Sequence, residues 1–225
     1  MAGRKRKKKR NRYRKHIIIW ILLLLVTAHF CGKLQQTLHK MPGETDWELI
    51  VVNKWNTIPD GYQTELTTLS NGKQVDSRIY PALQDLFDAM RADGIYPIVR
   101  EGYRTTTDQQ SILDDKIKAY EQEGLSSLLA KKMASEWVAA PGTSEHQLGI
   151  AVDINADKTK STNDEVYTWL AEHAWEYGFI LRYPKDKENV TGTGYEPWHY
   201  RYVGKEAAKE IWQEGCCLEE YVTQN

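Results

Sequence analysis

Cysteine is scarce in this chain of 225 residues: Cys31, Cys216 and Cys217 are all it has. Two of them are neighbours, where a bridge is strained. No disulfide framework therefore holds the fold, and no CxxC pair offers a zinc ribbon. Mean hydropathy is −0.62, which excludes a multispan membrane protein. Acid is missing altogether from residues 1–15, which hold ten of the chain's 30 Lys plus Arg. The other 20 cations face all 31 Asp plus Glu, so residues 16–225 carry about −11. An acidic body argues against nucleic-acid binding, which needs a cationic face. The sequence shows no internal repeat.

What is present begins with an aliphatic run, Ile17 to Val26, that continues through Cys31. A full span wants ~20 apolar residues, and the pure run is shorter. Two readings stand. One is an uncleaved signal anchor, favoured by the long cationic region. The other is a cleaved signal peptide with Val26-Thr27-Ala28 as its small-residue site. In both, the cations keep the N-terminus cytoplasmic and residues from about 33 onward are exported. The expected organisation is a basic tail over 1–15, the signal anchor or signal peptide over 16–32, a spacer over 33–46, one domain over 47–215 and a C-terminal tail over 216–225. The expected location is the cell membrane, single-pass with the domain outside, or secretion after leader cleavage.

Along the body, Leu49 to Val52 reads as a short strand and Pro59-Asp60-Gly61 as a turn. Ile79, Leu83, Leu86, Phe87 and Met90 recur at helical spacing, with Asp76 or Ser77 as N-cap and a stop at Asp93-Gly94. Ile95 to Arg100 is a strand that Pro97 assigns to an edge or a bulge. Helices are predicted over Thr106 to Tyr120, Ser126 to Val138, Asp164 to Tyr177 and Lys205 to Gln213. Strands are predicted over Ile150 to Ile154, Phe179 to Arg182 and His199 to Val203, with a loop from Lys187 to Gly194. Strands and helices mix without βαβ alternation, so the class is α+β: a small antiparallel sheet flanked by helices, after the N-terminal membrane segment.

Two segments carry chemistry. Ser144-Glu145-His146 leads to Asp153, which alternation on a strand turns away from Val152 and Ile154. Glu196-Pro197-Trp198-His199 supplies a second imidazole and another carboxylate. His146, Asp153 and His199 make three N/O ligands with a fourth position left for water, the layout of a catalytic rather than a structural zinc. Glu196 is placed to move a proton from that water to the leaving amine. A lone His–Asp pair is commonly a surface contact, and a lone Glu before Pro a solvated loop acid. The combination is what singles them out. Six histidines occur, His16 and His29 fall in the leader, and two of the remaining four lie in these segments.

The segments PGTSEHQLGIAVDI and GYEPWHYRYVG resemble the signatures of VanY-type D-alanyl-D-alanine carboxypeptidases, zinc peptidases of the lysostaphin/hedgehog-like group. EGYRTTTDQQ is similar to that family's S-G-Y-R-S segment and VVNKWNTIP to its N-terminal portion, so the likeness runs from about Leu49 to Gly204. The resemblance implies zinc on His146, Asp153 and His199, with Glu196 as base. It implies Arg104 as the group that holds substrate or oxyanion, and Ser144 and Gln109 as lining of the substrate pocket. The substrate it implies is the stem peptide of peptidoglycan, losing its terminal D-Ala. The chain departs from the pattern in carrying Glu101 before Gly102-Tyr103-Arg104 and Thr105 after it. Glu101 brings charge near the pocket and keeps two alternatives open: an L,D-carboxypeptidase acting on tetrapeptide stems, and a module that binds wall peptide without cutting it.

Overall fold

The computed structural model describes residues 47–224. The basic tail, the apolar run, the spacer and Cys31 lie outside them. Among the described residues no helix is long and apolar enough to cross a membrane. From Glu48 onward the chain forms one compact unit.

Its frame is a four-stranded antiparallel sheet. The strands are β3 (Pro97–Glu101), β4 (Ala151–Ala156), β5 (Phe179–Leu181) and β6 (His199–Tyr202), in the order β3-β4-β6-β5. A separate hairpin pairs β1 (Leu66–Thr68) with β2 (Gln74–Asp76). Helices surround both: α1 (Tyr80–Ala92), α2 (Thr106–Gln122), α3 (Ser127–Ala134), α4 (Asn163–His173), α5 (Glu188–Thr191), α6 (Lys205–Glu214) and α7 (Leu218–Gln224). The class is α+β, as the mixed pattern implied.

The strand β3 is an edge strand, as Pro97 implied; its register slips not at Pro97, which pairs with Ala156, but between Val99 and Glu101. Central β4 buries Ala151, Val152 and Ile154 while Asp153 stays partly open. Helix α1 buries the predicted Leu83, Leu86, Phe87 and Met90. Its N-cap, however, is Ile79 with a proline in the first turn, not Asp76 or Ser77. The carboxylate of Asp76 is instead occupied by the amide and guanidinium of Arg78. Helix α2 opens with a reciprocal cap between Thr105 and Asp108, which satisfies two otherwise orphaned first-turn donors.

Five expectations shift. Leu49–Val52 makes no strand: Leu49 ends a 3-10 turn, and the carbonyls of Glu48 and Ile50 accept from Arg201 Nη2 at 2.9 Å each. Helix α3 stops at Ala134, short of Val138. The Asp164–Tyr177 pattern splits into α4 and a 3-10 turn over Ala174–Tyr177, closed by Gly178 at φ +86°. Lys187 to Gly194 contains the short α5. Beyond Gly215, the residues expected as a tail carry α7, whose Leu218 and Tyr221 are buried against Ile180, Val203 and Ile211.

Candidate metal centre

The pairing of β4 with β6 sets Asp153 directly across from His199. Opposite residues on one face of antiparallel strands bring their Cβ atoms to about 4.5–5.5 Å, so register alone joins these two side chains. His146 comes from a 3-10 turn, Glu145–Leu148, closed by Gly149 at φ +78°. Its carbonyl accepts the amide of Arg104 at 3.1 Å, which fastens the turn to the residues after β3. The ligand atoms of His146, Asp153 and His199 then lie within 4.8 Å of one another. His146 Nε2 is 3.5 Å and His199 Nδ1 3.1 Å from Asp153 Oδ1.

The far nitrogen of His146 has a fixed acceptor, 2.9 Å away at Gly102 O. That of His199, Nε2, stands opposite Glu145 Oε2 at 3.8 Å, beyond hydrogen-bond reach. A partner such as Gly102 orients an imidazole and fixes which nitrogen is free for a metal. The donor set fits an N/O-coordinated ion, and four atoms at this centre, Asp153 Oδ1, Arg104 Nε, Glu145 Oε2 and His199 Nε2, are buried without a hydrogen-bond partner among the described residues. A buried carboxylate oxygen left in that state is costly unless something else satisfies it.

Electrostatics follow from burial and proximity. Burial raises Asp153, but the two imidazoles more than reverse this and hold it well below the usual carboxylate range. Burial lowers His146, and Asp153 only partly offsets that. His199 feels the same desolvation, yet Asp153, Glu145 and Glu196 together push it up to about 9. Glu196 is raised, first by burial and then by Asp153. Its Oε2 lies 3.6 Å from His199 Nδ1, on the metal side of the ring.

Every sequence-predicted site residue reaches one cleft of about 210 Å³, with Arg104, Gln109, Ser144, His146, Asp153, Glu196 and His199 all in its lining. Arg104 Nη2 is 3.7 Å from Asp153 Oδ2, and Nη1 donates to Gln109 Oε1 at 3.3 Å. Gln109 in turn donates to the carbonyl of Ala139 at 2.7 Å, so it steadies the arginine and the cleft wall. Glu101 does not line this cleft; its carboxylate pairs with Lys73 at 2.9 Å and stands 3.8 Å from Arg104 Nε. Thr105, the other departure, is engaged in capping α2.

Sequence reasoning missed what lies behind His199. Glu145 is fully buried between Arg182 Nε at 2.8 Å and Arg201 Nη1 at 2.7 Å, and Arg182 also holds Glu219 of α7 through Nη1 and Nη2 at 2.9 and 2.6 Å. Burial opposes the charge on Glu145, but the two guanidiniums hold its carboxyl well below the ordinary range. Arg182 and Arg201 are 0 % exposed and wholly structural. A Glu beside a ligand His gave no sign of this. The one available signal was two arginines set in otherwise apolar strands. Gln147 was also missed: it accepts from Gly142 N at 2.7 Å and donates to Thr106 at 3.1 Å, fixing the loop before His146.

With this geometry in place, the comparisons agree with one another. The chain matches the family described as VanY, D-alanyl-D-alanine carboxypeptidase, over residues 72–205. A D-alanyl-D-alanine carboxypeptidase of Enterococcus faecalis is 60% identical over 179 residues, which cover 80% of this chain and 67% of that protein. Two solved structures are also 60% identical. One is a mutant of the vancomycin-resistance D,D-pentapeptidase VanY in complex with Zn(II), with a TM-score of 0.76 over 78% of this chain and 99% of that one. The other is VanYB in complex with D-alanine-D-alanine, with a TM-score of 0.77 over 79% and 98%.

Proposed function

The chain belongs to the VanY family of D-alanyl-D-alanine carboxypeptidases, and from that premise we propose that it removes the terminal D-Ala from peptidoglycan stem peptides with a zinc ion held by His146, Asp153 and His199. The observation that carries this reading is the convergence of those three donors around the buried, unpartnered Asp153 Oδ1.

A bound zinc supplies Lewis-acid polarisation of the scissile carbonyl and makes water acidic enough to react near neutral pH. The rest of the work falls to the chain. Glu196, raised by burial, is suited to accept a proton at Oε2 and return it to the leaving amine. Arg104, poised beside Asp153 with Nε unpartnered, presents a planar fork to the terminal carboxylate of substrate. Gln109 holds that fork in place, and Ser144 contributes to the wall beside it. Glu145 steadies His199 from behind. Glu101 is paired with Lys73 and lies outside the cleft lining, which supports a pocket able to take an anionic C-terminus.

The basic tail and aliphatic run support an exported domain tethered to the membrane by the N-terminal segment, where stem peptides are found. The test is release of alanine, followed by mass spectrometry, from muropeptides ending in D-Ala-D-Ala or in a single D-Ala, with and without chelator. Loss of one D-Ala from the first, abolished by chelator and restored by zinc, is expected. Release only from the second would move the assignment to L,D-cleavage, and zinc binding without release from either would move it to a binding role.

A further inference from the structure

The cleft that holds the metal ligands is lined by residues from several connections of the sheet. The metal ligands Asp153 and His199 sit on the two central strands. Arg104 follows β3, at one edge. Gly192 and Thr193 follow α5, in the connection between β5 and β6, and Lys54 joins them in the lining. The cleft lining therefore carries two long-chain cations, Arg104 after β3 and Lys54 against Gly192.

Lys54 is held where it is by three features. Asn53 Oδ1 accepts the amides of Trp55 and Asn56 at 3.0 Å each, so the backbone around Lys54 is fixed in a tight turn. The ammonium lies 4.4 Å from the centroid of the Trp55 ring. The aliphatic stem lies against the backbone of Gly192. A Cβ there would come within 2.8, 3.0 and 3.2 Å of Lys54 Cε, Cδ and Cγ, so the close approach needs a glycine, which φ +80° also favours. Despite this placement, no carboxylate among the described residues pairs with the Lys54 ammonium, although the cleft also contains Glu136, Asp153 and Glu196. Arg104, by contrast, is already in contact with Asp153, Glu101 and Gln109.

Building on the carboxypeptidase reading above, we propose that Lys54 is a specificity-determining residue that binds a second carboxylate of the substrate, upstream of the scissile bond. Arg104 takes the terminal carboxylate, and Lys54, in the same cleft lining, is left for the upstream part of the peptide. The upstream acid of a stem peptide is the free α-carboxyl of its γ-linked D-glutamate. Amidation of that group removes the charge and leaves the backbone intact.

The experiment uses the full-length zinc-loaded protein and two pentapeptides that differ only in whether this glutamate α-carboxyl is free or amidated. Wild type is expected to favour the free acid about fivefold in kcat/KM, through KM rather than kcat, as suits an ion pair made by an exposed lysine. Lys54→Met, which keeps the stem, and Gly192→Ala, which pushes it aside, should both bring the acid-to-amide ratio toward one. Lys54→Arg should retain it. Calorimetric binding of both peptides to the zinc-loaded Glu196→Gln protein gives the same comparison without turnover. A ratio near one in wild type, or one that survives Lys54→Met, overturns the proposal while leaving the carboxypeptidase reading intact. An acid preference in binding that is lost with Lys54 supports it even if no alanine is released, in which case it is the hydrolytic reading that fails.

Discussion

Two buried clusters of charge meet at His199 and differ in one respect. In front of the ring, Asp153, Glu196 and Arg104 surround atoms that lack hydrogen-bond partners. Behind it, Glu145, Arg182, Arg201 and Glu219 form ion pairs of 2.6 to 2.9 Å, and Arg201 also donates to the carbonyls of Glu48 and Ile50. Burial and residue types are alike, so neither separates function from structure here. Close pairing does. The rear cluster is held by three short ion pairs, and the only atoms it leaves without a hydrogen bond, Glu145 Oε2 and His199 Nε2, face each other at 3.8 Å. In front, Asp153 Oδ1 and Arg104 Nε are left short inside an open cleft, and that shortfall is what a metal and a substrate carboxylate would supply.

The comparison can be broken from either side. Glu196→Gln removes a proton carrier without removing a metal donor. Activity is expected to fall by roughly 10²–10⁴-fold, while zinc content and melting temperature stay close to wild type; retention of activity with zinc bound would refute the assigned role. Arg201→Met strikes the rear cluster and leaves Glu145 half-paired. Urea unfolding should show a loss of about 3–5 kcal/mol, the usual effect of stranding one member of a buried pair. A small loss there would mean that the two clusters are not different in kind.

Acid sharpens the contrast. Glu145 is held low, so its contribution to stability is present above the ordinary carboxylate value of 4.5 and is lost as pH falls below it. In front, His199 is raised to about 9 in the metal-free protein, so its proton stabilises that form below the unfolded value of 6.5 and ceases to do so above 9. Metal must displace this proton. Zinc affinity measured by competition with a chelator should therefore rise about tenfold per pH unit between those values and then level off. The smallest effect lies far from both clusters: Thr105→Ala, which removes the cap of α2, should cost about 1 kcal/mol in urea unfolding with kcat preserved.

These differences mark what the sequence could show. His146, Asp153, His199 and Glu196 were legible because each sits in a short segment whose residue types and spacing suit a zinc peptidase. The α+β class and the edge placement of Pro97 were legible from periodicity and from the missing amide of proline. Glu145 was not, because its partners Arg182 and Arg201 are distant in sequence and nothing local separates a buried Glu from a solvated one. Leu49–Val52 looked like a strand because its residues are apolar and branched, yet two of the carbonyls there accept from a guanidinium. Asp76 looked like a helix cap until Arg78, two residues on, took its carboxylate. In each case the decisive partner came from tertiary structure.

The helix α7 has a consequence for how the centre is made. Arg182 stands 37 residues from Glu145 on one side and 37 from Glu219 on the other. Both loops must close before that guanidinium is neutralised, and closing them costs chain entropy that local contacts do not repay. In the chain, Glu219 comes 20 residues after His199, the last metal ligand. The ring of His199 thus acquires its final backing only when the C-terminal helix has docked, and a chain cut before α7 would hold the right donors on an unfinished support.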